Sequence, residues 1–270
     1  MSSSQVNLEP EFYPIERLLI VGPLMDAKPP ADRATAAGHN VTLLLPDDEI
    51  EHAPKATAVL GSGDAITADD FDIVLELHCT NLEAKAEALY YLEDALAEAV
   101  PIISLTMAIA TGELVREMLI PERVIGVSML PPFEDSKLAE LMPTPHTSRE
   151  TIHGAKRLFE SLGLDVRQVS DSPGGVLVRT VCCLVNEAAL ALQEQIATPE
   201  AIDKAMQMGG HLPFGPLAWG DRIGLDRVLA VMEGLFAEFK DERYRPAPLL
   251  KQHVRAGFVG IRSARGFHSY

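Results

Sequence analysis

The run RLLIVG at residues 17–22 places four apolar residues in succession and closes on a glycine. A strand with one wet face alternates polar and apolar positions, so an unbroken short run bounded by turn residues fits a strand buried on both faces. Moving outward, NVTLLL (40–45), ATAVL (56–60), FDIVLEL (71–77), VPIISL (100–105) and RVIGVSML (123–130) repeat the pattern. The segments between them suit helices and turns. Residues 31–37 are Ala-rich, with Pro29 and Pro30 expected before that helix or in its first turn, where a missing N–H costs nothing. Asn81 is expected to cap a helix running to about Ala99, with Leu82, Leu89, Leu92 and Leu96 largely on one face. Buried strands alternating with helices define an α/β fold with a mostly parallel sheet.

After Pro173 the character changes. Residues 176–196 form one long apolar-rich helical run, 199–208 begin a second and 225–239 a third. Charge changes at the same point: residues 1–170 carry 12 Lys and Arg against 28 Asp and Glu, whereas 171–270 carry 11 against 11. The expected division is an α/β domain over 15–170 and an all-helical domain over 171–270, with 1–14 as an extended arm.

The net charge of −16 offers no positive field to draw in phosphates, which argues against nucleic acid or an anionic membrane as partner. No apolar run approaches the roughly 20 residues of a membrane span, and MSSSQVNLEPEFYP has neither a basic start nor an apolar core, so a cytoplasmic location is expected. Cys79, Cys182 and Cys183 lack the number for a disulfide framework and the spacing of a zinc site; they read as buried thiols, and no metal is expected. Met206 and Met208 read as core filler.

In a doubly wound sheet ligands lie at the carboxyl ends of the strands. The first strand ends in GPLMDAKPP, where Gly22 stands alone and Leu24 occupies the place of a second glycine that would admit a dinucleotide's phosphates. Gly61 and Gly63 read as a plain turn. Asp47 and Asp48 follow the second strand, either within reach of a ribose or in a solvated turn. His78 and Cys79 follow FDIVLEL at the rim of the crevice, His78 being an acid-base candidate or a partly buried bystander. Glu140 in KLAEL is a supporting carboxylate or a surface residue. Arg255, Arg262 and Arg265 form a local basic cluster that either meets an anion or flanks the helical domain.

The second half carries DSPGGVLVR, LVNEAALAL, TPEAIDKAMQMGGHLPFGPLAWGDRIGLD and YRPAPLLKQHVRAGFVG followed by RGF. In that order and spacing they resemble the C-terminal domain of the 3-hydroxyacyl-CoA dehydrogenases. AGHNVTLLL, DIVLEL, NLEAK, PERVIG and KLAEL resemble its N-terminal domain more loosely, so that the resemblance covers about residues 15–270. It implies a Rossmann-like NAD-binding domain followed by a helical dimerisation domain, an acyl-CoA substrate and a homodimer. It also implies a His that takes the hydroxyl proton, a Glu that orients it, and Ser and Asn that hold the substrate oxygen.

Carried over by motif, Ser128 stands at the catalytic His, Pro131 at the following Asn, Met107 and Ala108 at the serines, and Val178 at the second Asn. Glu140 matches the orienting Glu, Lys85 the family's Lys, and Gly22 the start of the cofactor loop, with Asp47 the nearest carboxylate for a ribose. A serine hydroxyl holds its proton too tightly to replace imidazole; loss of general-base help costs roughly 10²–10⁴ in rate and loss of oxyanion donors roughly 10²–10³. The expectation is a family member with a degenerate, impaired or inactive site that binds an acyl-CoA or another small ligand, with NAD binding in the usual pose in doubt. The alternative is an active oxidoreductase whose chemistry has moved, to His78 or to His211 of GGHLPFGP.

Overall fold

A computed structural model describes residues 15–54, 57–61 and 63–270, so the N-terminal arm, the first residue of ATAVL and the middle of the Gly61–Gly63 turn lie outside the described residues. The strands are β1 (Arg17–Val21), β2 (Asn40–Leu44), β3 (Ala58–Leu60), β4 (Ile73–Glu76), β5 (Ile102–Leu105), β6 (Val124–Ser128), β7 (Leu138–Met142) and β8 (Asp165–Gln168). They form one sheet in the order 3-2-1-4-5-6-7-8. Every neighbouring pair is parallel except β6 and β7, which run antiparallel. The order reverses between β1 and β4, and the crevice outside their carboxyl ends is where such a sheet takes its ligands.

Four helices cover the sheet: α1 (Leu24–Ala36), α2 (Leu82–Ala95), α3 (Thr111–Val115) and α4 (Arg149–Ser161). Ala27, Ala31 and Ala34 of α1 and Ala155, Leu158 and Phe159 of α4 pack on the face formed by Leu18, Ile20, Leu75 and Ile103. Leu89 and Leu92 of α2 and Val115 of α3 pack on the other face, against Leu19, Val74 and Ile102. Asn81 caps α2 as expected, its Oδ1 accepting from the Ala84 N–H at 3.1 Å, though the helix ends at Ala95 rather than near Ala99.

Residues 31–37 belong to a helix that starts seven residues earlier than expected. Pro29 and Pro30 lie in its second turn, where they cannot donate to the Met25 and Asp26 carbonyls. Burial of the alanine face and the helix-compatible φ of proline offset the two missing bonds.

The helical unit consists of α5 (Leu177–Gln193), α6 (Pro199–Gly210), α7 (Pro216–Ile223), α8 (Leu225–Phe239) and α9 (Pro248–Arg255). α5 and α8 form its centre through Val181, Val185, Val228 and Val231, all fully or nearly fully buried. Met208 is 68% exposed and Met206 half-buried, which overturns their reading as core filler: both lie on α6, whose one buried residue is Asp203. Cys79 and Cys182 are buried and Cys183 is half-buried.

Candidate functional site

Gly22 ends β1 with φ +139°, and a Cβ there would press on the Leu77 backbone at 3.3 Å, so β1 and β4 approach at their carboxyl ends only because this residue is glycine. Pro23 follows and has no N–H to offer. The N–H groups of Asp26 and Ala27 bond to the Pro23 carbonyl at 2.9 Å each. The Leu24 N–H donates at 2.5 Å to the carboxylate of Glu49, which reaches across from the 3-10 turn Asp47–His52. Asp47 was the carboxylate singled out in the sequence; it opens that turn, and the side chain that reaches α1 is Glu49.

Beside this helix start, Asp26 is buried and ion-paired with Arg227 of α8, 201 residues further on, and the Cys79 thiol donates to its Oδ2 at 3.7 Å. Burial pushes the Asp26 carboxyl up, against the opposing pull of Arg227. Burial likewise pushes the Cys79 thiol well up, with the Asp26 charge adding to the rise. Thiolate chemistry at Cys79 is therefore disfavoured. The Asp26 and Arg227 pair lies beside the β1–α1 and β4–α2 turns, at the reversal of the sheet.

A polar row crosses the sheet near its carboxyl edge, on the face that carries α2 and α3. Glu76 pairs in register with Ser104, and Ser104 with Gly126; one step further along, Ser128 pairs with Glu140. Glu76 is fully buried and accepts four contacts: Lys85 Nζ, Ser104 Oγ at 2.6 Å, and from His78 the backbone N–H at 2.7 Å and Nδ1 at 3.0 Å. Burial alone would raise the Glu76 carboxyl, but Lys85 and His78 outweigh it and hold the group below its ordinary value. His78 is thus oriented by a buried carboxylate, while Lys85, assigned to the cofactor by resemblance, is buried in this pair. Glu76 was missed in the sequence, although a carboxylate inside the apolar run IVLEL (73–77) with a lysine nine residues on was a usable signal.

At the end of β6, Ser128 is buried and its Oγ donates to the Gly174 carbonyl at 3.0 Å. The Gly174 N–H in turn donates to the Thr106 carbonyl at 3.2 Å, so the segment before α5 is fastened across both strand ends. Glu140 accepts from the Val176 and Leu177 N–H groups at 3.0 Å, which makes it the cap of α5. Met107, Ala108 and Val178, the positions that the resemblance matches to oxygen-holding residues, are all buried. A Cβ at Gly234 of α8 would collide with the Ala108 carbonyl, so α8 packs backbone to backbone over the end of β5.

His211 is exposed and ends α6 in a left-handed conformation. Among the described residues no group of three or more His, Cys, Asp or Glu side chains is placed to hold a metal, and no helix is long and apolar enough to cross a membrane.

Between the domains, a cavity of about 530 Å³ opens at the ends of β4 and β5 against α8. Its walls are mainly apolar, including Leu82, Ile109, Pro173 and Ala230, and it carries the carboxylates of Glu113, Glu233 and Glu238.

Residues 35–172 match the 3-hydroxyacyl-CoA dehydrogenase NAD-binding domain, and residues 174–270 the C-terminal domain of the same family. A probable 3-hydroxybutyryl-CoA dehydrogenase of Bacillus subtilis is 38% identical over 203 residues, spanning 75% of this chain and 71% of that protein. The 3-hydroxybutyryl-CoA dehydrogenase of Clostridioides difficile is 34% identical over 74% of this chain and 72% of its own length. The crystal structure of (S)-3-hydroxybutyryl-CoA dehydrogenase from Ralstonia eutropha superimposes with a TM-score of 0.79 at 32% identity, over 95% of this chain and 99% of that one.

Proposed function

The chain belongs to the 3-hydroxyacyl-CoA dehydrogenase family, and from that premise we propose that it is a member whose site does not carry out the family's hydride transfer and acts as a ligand-binding or partner subunit. The observation that carries this reading is the closure at the end of β6. Where a base is needed there is a buried serine bonded to a backbone carbonyl, and the neighbouring carboxylate is engaged by the N-terminus of α5. No imidazole stands at that point, and a serine hydroxyl holds its own proton too tightly to serve as the base.

The chain retains the NAD-binding domain of its family, but its cradle does not fit the cofactor in the usual pose. A pyrophosphate at a helix start needs free N–H groups and positive potential. Here Pro23 has no donor, and the Leu24 donor is held by Glu49, whose carboxylate puts negative charge at the helix start. The ligand reading places the acyl end of an acyl-CoA in the apolar part of the interdomain cavity, with the phosphates kept away from its glutamates. It includes a homodimer through the helical unit, where Ile196, Met208 and Phe239 are exposed, and a cytoplasmic location.

Purified protein titrated with NADH, followed by cofactor fluorescence and energy transfer from Trp219, and assayed with acetoacetyl-CoA, tests this directly. No saturable binding and no acetoacetyl-CoA-dependent NADH consumption are expected. Turnover at a rate typical of enzymes, about 1–10³ s⁻¹, would sink the reading.

One observation favours a second reading, an active oxidoreductase with relocated chemistry. The His78 imidazole, oriented through Nδ1 by Glu76, stands next to the crevice with the form of an acid-base pair. Should turnover be found, H78Q would abolish it under this reading and leave it unchanged otherwise.

A further inference from the structure

The helix starts described above are closed by carboxylates, yet one cavity at the seam between the domains is lined by guanidinium groups. Arg222 of α7, Arg227 of α8 and Arg262 beyond α9 converge on a space of about 290 Å³, whose apolar walls include Met25, Phe133 and Ile261. Sequence reading grouped Arg262 with Arg255 and Arg265; the fold groups it instead with two arginines from other helices.

Each guanidinium is held in place by one carboxylate. Arg222 Nη2 donates to Asp135 at 2.6 Å, Arg227 pairs with Asp26, and Arg262 pairs with Asp226. Arg227 also donates to the Ile223 carbonyl at 3.2 Å, and Arg262 Nη1 lies 3.4 Å from Met25 Sδ. A guanidinium carries five N–H donors, so each of the three retains donors without a partner among the described residues. Against these three cations stand the three carboxylates that pair with them, Asp26, Asp135 and Asp226, and Glu134 in the cavity wall, so what the site offers an anion is unfilled N–H donors and not net positive charge. Three fixed guanidiniums with spare donors, Arg227 buried and Arg222 and Arg262 one-third exposed, set beside apolar walls suit a planar or tetrahedral oxyanion attached to a short apolar body.

We propose that this seam cavity binds a small oxyanion, a carboxylate or a phosphate, carried on a short apolar group. The volume lies just below the usual range of small-molecule pockets and well short of a dinucleotide. Met25 and Phe133 come from the α/β domain and the three arginines from the helical unit, so the ligand joins the two domains. The site is separate from the closed end of β6 and stands whether or not the reading proposed above survives.

Trp219, the single tryptophan, reports on the cavity: its ring lies 5.9 Å from that of Phe214, over which the Arg222 guanidinium sits at 4.6 Å. The full chain is titrated with inorganic phosphate and, separately, with butyrate at constant ionic strength, reading Trp219 emission and heat. A saturable response to either anion is expected, and which anion gives it identifies the ligand's head group. The affinity should fall at least about tenfold in R222Q and R262Q, whose side chains are one-third exposed and whose loss spares the core. I261D, at a residue 44% exposed, places a carboxylate in the cavity and should abolish the response if either arginine variant folds poorly. No saturable response to either anion, or undiminished affinity in well-folded variants, overturns the proposal.

Discussion

Glu76 is held from four sides. It is wholly buried beside Lys85, which is 1% exposed, and the pair survives burial because Ser104 and His78 complete the coordination of the carboxylate. Removing one partner of a buried ion pair strands the other charge, which costs about 3–5 kcal/mol. E76Q is therefore expected to lower stability to urea by that amount at neutral pH. The folded-state value of Glu76 is depressed, so the stability it contributes is fully present above its ordinary value of 4.5 and is lost as the pH falls through the folded value. The difference between wild type and E76Q should accordingly narrow on acidification below 4.5. Unfolding midpoints measured across that window check both the size and the sign. His78 was legible at the crevice rim because position after a strand is a local property. Its partner was not, because a carboxylate inside an apolar strand is interpretable only once Lys85 is known to fold back over it.

At the scale of elements, the strands read most clearly were those buried on both faces. β8 was missed because DVRQ is a charged edge strand with three of its four residues exposed, and β7, although buried on both faces, because Glu140 interrupts its short apolar run. The eight-residue helices α7 and α9 were missed and the longer α5, α6 and α8 found, as expected when periodicity is read over a window of about 11 residues or more. Glu140 is where a motif and a fold assign different work to one residue: the motif makes it the support of a base, and the structure makes it the cap of α5. E140A leaves two N–H groups at the start of α5 without their acceptor and is expected to cost about 0.5–2 kcal/mol of stability, measured by urea unfolding. E140Q, which keeps an acceptor oxygen, should recover part of that loss. α8 is positioned by the absence of a side chain at Gly234. G234A drives a methyl group into the Ala108 carbonyl and should lower stability by about 1–3 kcal/mol through overpacking, with the shift visible in the thermal midpoint.

Across the whole molecule, carboxylates stand at helix starts that an anionic ligand would otherwise use. Glu49 holds α1, Asp171 holds the Thr111 and Gly112 N–H groups at the start of α3, Glu140 holds α5, and Asp203 holds the Leu217 and Ala218 N–H groups of α7. Each placement is locally favourable, because a helix start carries partial positive charge and unpaired donors. Together they replace external anions with internal ones in a chain whose net charge is already −16. This organisation was only partly legible in the sequence: the acidic excess could be counted, but the pairing of Glu49 with Leu24 or of Asp26 with Arg227 spans 25 and 201 residues and follows no local rule.

If the proposed reading holds, an imidazole returned to the end of β6 should by itself give no chemistry. S128H returns an imidazole opposite Glu140, but Met107, Ala108 and Val178 still offer the substrate oxygen no side-chain donor, and the cradle at α1 is unchanged. Groups that act as a unit in catalysis do not contribute additively, so one restored member gains little while the others are missing. S128H is expected to show no NADH oxidation with acetoacetyl-CoA, and combining it with E49Q, which removes the charge at the Leu24 N–H, should increase NADH affinity before any turnover appears. If S128H alone gave turnover of family magnitude, the cradle must accept the dinucleotide as it stands, and the carboxylates at the helix starts would have to be read as caps with no bearing on ligand choice.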